Sequence, residues 1–150
     1  MRTHQPVLYG SVSILSVVIV IIALGGGLFN QSASWPLQWQ HQTFYNLCHQ
    51  IAERSIWING QPMAVCSRCF GIYAGFTLGW GLLPILSLIR ITTITHIDKI
   101  TLVVLLFNII DAAGNFFELW QNTLVSRTIL GGMLGSSAAL FFIGDFFQHN

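Results

Sequence analysis

The sequence predicts an all-α integral membrane protein, a bundle of four transmembrane helices with a polar first loop that carries cysteine and histidine. Of its 150 residues, 53% are hydrophobic and only 7% are charged, whereas about 25% are charged in an average soluble protein. The few charges also avoid long segments, because none occurs between Arg2 and Glu53 or between Arg68 and Arg90. A segment that crosses a bilayer must satisfy its own backbone hydrogen bonds, so each apolar stretch is expected to be a helix.

Four spans and one loop make up a single predicted membrane domain, residues 1–150. The spans are expected at about residues 7–29, 69–89, 100–119 and 128–147, and the polar loop at about residues 30–65. Each span matches the roughly 20 apolar residues that a helix needs to cross the hydrocarbon core. The first span also resembles a signal peptide, but its apolar stretch is longer than the roughly 7–15 residues of a signal core, which favours a retained anchor.

The basic residues bear on the orientation of the chain in the membrane. The six of them divide evenly between the two sides: Arg2, Arg90 and Lys99 flank one side, and Arg54, Arg68 and Arg127 the other. With three basic residues on each side, the positive-inside rule favours neither orientation. Because the first three simply flank spans, whereas the other three lie among polar motif residues, we expect both termini in the cytoplasm of a cell (inner) membrane. With four spans, the first and third loops share the opposite face.

The expected partner of the chain is the lipid bilayer. A net charge of +1 without any basic run lacks the electrostatic footprint of nucleic-acid binding. Glycines recur every four positions on two of the spans: Gly71, Gly75 and Gly79 on the second, and Gly131 and Gly135 on the fourth. Such faces allow close helix packing, either within the chain or between the chains of a homo-oligomer. The sequence indicates no substrate.

Two local structures are expected in the polar loop. Asn59-Gly60, between apolar neighbours, predicts a tight hairpin turn that would bring residues 66–69 back toward Cys48. Residues 41–54 are expected to form a short amphipathic helix, because their apolar members would share one face.

All three cysteines lie in or beside this loop, and one of them has a histidine neighbour. Cys66 and Cys69 are three residues apart, so they share a helix face or, in a loop, chelate one ion. Together with Cys48 and His49 they would provide three thiolates and one imidazole, the number of ligands that a tetrahedral zinc site needs. We therefore predict a centre for zinc or another thiolate-binding metal, at one membrane surface, formed by Cys48, His49, Cys66 and Cys69.

Two other uses of the cysteines stay open at this point. Two of the three could form a disulfide and leave one free thiol. Alternatively, the Cys66/Cys69 pair could serve a membrane thiol–disulfide oxidoreductase, since a Cys-x-x-Cys pair at the outer end of a second span resembles the quinone-linked membrane enzymes that make disulfides. Because those enzymes use two cysteine pairs, Cys48 would here have to act alone as the relay thiol. No catalytic residue is assigned.

A polar stripe runs along the third span. Its members are spaced three, four, three and four residues apart, which places them on one helical face: Asn108, Asp111, Asn115, Glu118 and Asn122. Because ionisable groups inside a bilayer usually face the bundle interior, Asp111 is expected to line a polar cavity beneath the cysteines. The stripe is then either hydrogen bonding between helices or the lining of a small transporter or channel. The residues expected to support the site are Arg54, Arg68, Asp111, Asn115, Glu118 and Arg127.

Three segments of the chain form a recognisable signature: Cys48-His49-Gln50, Arg54-Ser55, and the run from Cys66 to Gly75. This signature resembles that of the domain-of-unknown-function 2085 family, which consists of small predicted polytopic membrane proteins. The likeness extends to Asp111 in the third span and to Arg127 with Gly131 at the start of the fourth. The chain departs from the family pattern, Asp-Gly with a downstream Gln, at Asp111-Ala112 and Gly114-Asn115. The resemblance implies a membrane location and a shared cysteine site, and it implies no activity.

Overall fold

The computed structural model describes residues 5–29, 34, 37–88, 97–142 and 146, and it is mostly helical, as the composition predicts. In chain order its elements are α1 (Pro6–Ala23), α2 (Trp39–Thr43), a 3-10 helix (Ala52–Arg54), β1 (Trp57–Ile58), β2 (Gln61–Pro62), α3 (Ser67–Leu88), α4 (Ile97–Phe116) and α5 (Leu124–Phe141). Arg2, Arg90 and the expected span ends at residues 89 and 147 lie outside the described residues.

Three of the described helices are long and apolar enough to cross a membrane. They are α1, the Ser67–Ser87 part of α3, and α5, with mean hydropathies of 2.4, 1.6 and 1.3. The third predicted span, α4, is not among them, although it has 20 residues. Asp98, Lys99 and Asp111 lie along α4, and its remaining surface is largely apolar and exposed.

The contact between α3 and α5 is the tightest in the bundle, and glycines make it possible. A methyl group added at any of four glycines would overlap a backbone carbonyl oxygen of the facing helix: Gly71 and Gly75 on α3, and Gly131 and Gly135 on α5. Ser136 Oγ also donates a hydrogen bond across this contact to the Gly75 carbonyl oxygen at 3.0 Å. The two predicted glycine faces therefore pack against each other within one chain, which is the use of small residues that close helix approach requires.

Helix α1 also packs along α3, and its first turns lie at the end of the bundle away from the cysteines. Tyr9 stacks on Trp80 with ring centroids 5.4 Å apart, and its hydroxyl donates to the Trp80 carbonyl oxygen at 2.9 Å. The Tyr9 ring also lies 6.4 Å from that of Phe146, after α5. Because Trp80 is roughly 20 Å along α3 from its start, the two ends of the described chain meet far from the polar loop.

The polar loop folds over the ends of α1 and α3. Asn59 (φ +49°) and Gly60 (φ +77°) both adopt left-handed conformations and join the antiparallel strands β1 and β2. Two positive φ values in a two-residue loop are typical of a type I′ hairpin, so the predicted turn is confirmed. Asn59 Nδ2 donates to the Gly27 carbonyl oxygen at 3.0 Å, which ties the turn to the end of the first apolar segment.

The expected helix over residues 41–54 is wrong. Only its ends are helical, as α2 and the 3-10 helix. Between them Gln50 has φ +49°, a conformation that a right-handed helix cannot contain. The amide of Gln50 explains this break, because it bonds to two other parts of the loop, as described below.

The glycine contact predicts a position-specific effect of alanine. Gly75→Ala should lower the free energy of unfolding by about 1–3 kcal/mol, the usual cost of overpacking, because the backbone of α5 leaves no room for the methyl group. Gly81→Ala is the matched control on the same helix: nothing lies within 4 Å of its Cβ position, so it should be neutral or stabilising through helix propensity. Thermal unfolding of detergent-purified protein checks both, and equal shifts in the two variants would contradict this packing.

Candidate metal centre

The three cysteine thiols converge from three places in the chain. Cys48 lies in the loop after α2, Cys66 immediately precedes α3, and Cys69 lies in the first turn of α3. The Sγ atom of Cys66 is 3.4 Å from that of Cys48 and 3.4 Å from that of Cys69, and all three sulfurs lie within 4.8 Å of one another. The two sulfur atoms of a disulfide are about 2.05 Å apart. The sulfurs here are farther apart than that, and all three cysteines are free.

Gln50 holds the Cys48 loop against the segment that precedes α3. Its side chain Nε2 donates to the carbonyl oxygens of His41 (2.6 Å) and Ala64 (2.9 Å), and the residue is only 7% exposed. Its backbone N–H points at Cys48 Sγ (3.5 Å), and so does that of Cys66 (3.3 Å). In the sequence, Gln50 stands out only as part of the signature Cys48-His49-Gln50. Nothing in its spacing indicates that its amide bridges two segments of the loop.

Cys66 occupies the N-cap position of α3. Its carbonyl oxygen accepts the first helical hydrogen bond, from Phe70 N at 3.0 Å, as an N-cap residue does. Side-chain hydrogen bonds with the thiols of Cys48 and Cys69, and then hydrogen bonds from the backbone N–H groups of Cys69 and Arg68, lower the pKa of the Cys66 thiol. The helix start therefore favours thiolate at Cys66. The side-chain hydrogen bond shared with Cys66 raises the pKa of Cys48.

One side of the thiol cluster is apolar. Cys48 belongs to a small core whose buried members are Ala23, Phe44, Cys48, Ala64 and Val65. The ring of Phe44 stacks on that of Tyr73, one turn beyond Cys69, with centroids 5.7 Å apart. This packing excludes water from one side of the sulfurs, which strengthens electrostatic interactions there.

His49, the predicted imidazole ligand, is not brought into the thiol cluster. Its side chain is exposed, and no described His, Asp or Glu side chain joins the three sulfurs within 4.8 Å. The backbone turn at Gln50 accounts for this position, because the segment 48–50 points the Cys48 side chain inward and leaves its neighbour at the surface.

Arg68 and Asp111 form an ion pair at the first turn of α3, the turn that also carries Cys69. Arg68 Nη2 contacts Asp111 Oδ2, and the same carboxylate oxygen accepts a hydrogen bond from Asn122 Nδ2 at 2.6 Å. The side chains of the pair are 23% and 16% exposed, so both charges are largely withdrawn from water. Residues that sequence analysis placed on separate spans thus meet at the first turn of α3.

The rest of the predicted polar stripe is tied to helix α5 and to a turn. Asn108 Nδ2 donates to the Leu130 carbonyl oxygen (3.2 Å), and Asn115 Oδ1 accepts from Arg127 Nη2 (2.7 Å). Because α4 ends at Phe116, Glu118 and Asn122 do not continue its face. Glu118 is exposed with φ +58°, so it does not join the polar group. Asn122 returns to Asp111 only because the chain turns back.

These contacts do not favour a transport or redox reading of the site. Asp111 and Asn115 bond to the arginine side chains of Arg68 and Arg127, and Asn108 bonds to the backbone of α5. A cavity of about 280 Å³ does exist, but it lies between α1, α3 and α5 and is lined mainly by apolar residues of those helices. The oxidoreductase alternative likewise gains no support, since the chain has three cysteines and therefore no second pair.

Comparisons with known proteins point to a family. The sequence profile of a family described as "Predicted membrane protein (DUF2085)" matches residues 48–141. Uncharacterized protein MJ1492 of Methanocaldococcus jannaschii is 31% identical over 103 residues, which make up 68% of this chain and 65% of that relative. No solved structure matches the chain. The matched region begins at Cys48 and contains all three cysteines together with Asp111 and Arg127.

The ion pair predicts a coupled loss of stability. Asp111→Asn should lower the free energy of unfolding by about 1.5–3 kcal/mol, because it removes the charge partner of a largely buried guanidinium group. The double variant Arg68→Gln/Asp111→Asn should lose less free energy of unfolding than the two single variants lose in sum, because it leaves no unpaired charge behind. Chemical unfolding in detergent measures this cycle, with exposed Asp98→Asn on the same helix as the control. Strict additivity of the two changes would contradict the pairing.

Proposed function

Because the chain belongs to the DUF2085 family of predicted membrane proteins, we propose that it is an integral membrane protein whose three cysteines bind one metal ion at a membrane surface. The metal connects the polar first loop, through Cys48, to the start of α3, where Cys66 and Cys69 lie. A site of this kind contributes directly to folding, because its ligands come from segments that only the folded chain brings together.

The observation that carries this proposal is the position of the three sulfur atoms. Zinc–sulfur bonds of about 2.3 Å in a tetrahedron place neighbouring sulfurs about 3.8 Å apart, and the two shortest separations here are 3.4 Å. Small side-chain rotations reach that geometry, whereas a disulfide would need the sulfurs to approach by more than an ångström. Thiolate ligands select zinc, copper(I) or iron over harder cations, and zinc is the ion that we propose.

The fourth coordination position distinguishes a closed structural site from an open one. Structural zinc sites have four protein ligands, whereas catalytic sites keep one position for water. His49 supplies the fourth ligand if its exposed side chain turns toward Cys48, its neighbour in the chain. If water takes that position instead, the site has the coordination of a reactive centre.

The proposed architecture is a bundle of four membrane-spanning helices. Three helices satisfy the requirements of length and apolarity, and the fourth, α4, would rise about 30 Å over its 20 residues. Its polar side chains are consistent with a span, because Asn108, Asp111 and Asn115 bond to α3, to α5 and to the segment after α4 rather than facing outward. An even number of spans places both termini on one side, which we propose to be the cytoplasm, with the cysteines on the other.

Metal analysis of the purified protein tests the centre. We expect about one equivalent of metal per chain, lost together in Cys48→Ser, Cys66→Ser and Cys69→Ser, because two thiolates cannot hold the ion in place of three. Elemental analysis with a native thiol count measures both quantities. Metal-free protein whose thiols are oxidised, with quinone-dependent thiol turnover, would instead establish the oxidoreductase.

A histidine substitution identifies the fourth ligand. His49→Ala should weaken metal retention against a competing chelator by at least tenfold if the imidazole is a ligand, because a strong bond to the ion is lost. His96→Ala, which removes an imidazole from the segment between α3 and α4, is the matched control. Unchanged retention in His49→Ala would assign the fourth position to water.

A further inference from the structure

The cavity of about 280 Å³ between α1, α3 and α5 has no part in the proposed metal centre. It lies between two contacts of α1 with the rest of the chain, the stacking of Tyr9 on Trp80 at one end and the core around Cys48 at the other. All three helices contribute to its wall, which includes Val12 and Ile19 of α1, Tyr73 and Phe76 of α3, and Gly135 and Ala138 of α5.

The cavity separates two well-packed regions of the bundle. On the cysteine side, Ile19 and Tyr73 pack against the core that contains Cys48. On the opposite side, Val12 and Phe76 pack against a second core at the far end of α3. The same four side chains line the cavity, so it is a gap in an otherwise continuous apolar interior.

Small residues on α5 leave this gap open. Gly135 lies so close to α3 that an added methyl group would overlap the Ile72 carbonyl oxygen, and Ala138 follows one turn later. Neither position carries a side chain longer than a methyl group that could extend toward α1. The close contact of α3 with α5 therefore leaves space between these two helices and α1.

The cavity wall provides no partner for a polar ligand. No polar atom of the described residues is exposed on it, and the Ser16 hydroxyl already donates to the Ser13 carbonyl oxygen at 3.0 Å. A buried water needs about two to four polar partners, whereas apolar cavities of about 150 Å³ stay dry and bind hydrocarbons such as benzene. This cavity is larger than that, so a hydrocarbon is the ligand that its chemistry fits.

The position of the cavity along the helices indicates the source of the hydrocarbon. The three helices that form it are the described helices that are long and apolar enough to cross a membrane. Tyr73 is roughly 9 Å along α3 from its start, so in the proposed bilayer the cavity lies in the leaflet on the cysteine side. Leu15 also lines it and is 58% exposed, so the cavity reaches the outer surface of α1, where lipid chains surround the bundle.

We propose that this cavity binds one acyl chain of a membrane phospholipid, which enters from the leaflet on the cysteine side. The volume corresponds to about nine groups of ~30 Å³ each, the share of one water in the liquid, and a methylene group is of similar size. A chain segment of that length completes the packing between the two cores. The bilayer supplies such chains at the opening, so no second protein is needed to fill it. This inference rests on the membrane-spanning placement under the proposed function and does not depend on the metal.

Lipid retention tests the site in full-length protein purified in a steroid-based detergent, which has no alkyl chain to compete. After incubation with dioleoylphosphatidylcholine and removal of excess lipid, native mass spectrometry should find about one phospholipid per chain. Ala138→Leu and Val12→Phe, which fill the cavity from two different helices, should each lower the retained fraction at least tenfold. Ala113→Leu, at an exposed position of α4, is the matched control and should leave it unchanged.

The lipid series distinguishes recognition of the chain from recognition of the headgroup. Dioleoylphosphatidylglycerol, with the same chains and another headgroup, should be retained equally, and glycerophosphocholine, which has no chains, should not compete. Retention that follows the headgroup, or equal retention in wild type and in a filling variant that still unfolds cooperatively, would overturn the proposal. A retained isoprenoid quinone in place of the phospholipid would also overturn it and favour the oxidoreductase.

A measurement on the wild-type protein does not depend on the folding of any variant. Phospholipid with a photoactivatable diazirine in its acyl chain should label Ser16, a lining residue that is only 8% exposed. Lipid that merely surrounds the bundle reaches the exposed side chains of α1 instead. Peptide mapping by mass spectrometry that finds label on those side chains and none on Ser16 would contradict a chain inside the cavity.

Two further readouts keep this proposal separate from the proposed function. Release of the protein from membranes by alkaline carbonate, without detergent, would overturn the membrane-spanning placement itself. Protein that stays in the membrane and binds metal but retains no phospholipid overturns the acyl-chain site alone. Protein that retains the phospholipid without metal overturns the metal centre alone.

Discussion

The backbone-to-backbone contact between α3 and α5 is the constraint on which the rest of the structure depends. Gly75 and Gly135 let the helices approach until any side chain between them would overlap a carbonyl oxygen. Because both helices begin at the same end of the bundle, this contact fixes Arg68 and Arg127 next to each other. It also brings α4, which packs on α5, near enough for Asp111 to reach Arg68. Apolar helices without a hydrophobic drive between them in lipid depend on such close packing.

The polar loop is held by amides rather than by a core of its own. Gln50 bridges the carbonyl oxygens of His41 and Ala64, and Gln38 accepts from Gly26 N at 3.1 Å while donating to Gln61. These buried amides satisfy backbone groups that no regular element pairs, which is the requirement on any buried irregular segment. As a result, Cys48 lies against the start of α3, where Cys66 and Cys69 are located.

Charged and ionisable groups meet at the start of α3, where Arg68 pairs with Asp111 and the thiols lie close together. Cys66 is the N-cap residue of α3, and its hydrogen bonds with Cys48 and Cys69 lower the pKa of its thiol. Asp111 supplies a negative charge from α4.

The sequence by itself determined the mostly helical class, the glycine faces, the hairpin at Asn59-Gly60 and the return of residues 66–69 toward Cys48, because hydropathy, spacing and turn chemistry are local properties. It was wrong about the helix over residues 41–54, and it gave no role to Gln50, since an amide that bridges two distant carbonyl groups leaves no periodic pattern. Only the tertiary structure decided that His49 faces outward from the three sulfurs, and that Asp111 pairs with Arg68 instead of lining an open cavity. Those outcomes depend on the direction of side chains after the loop folds back, which is set by long-range contacts and not by neighbouring residues.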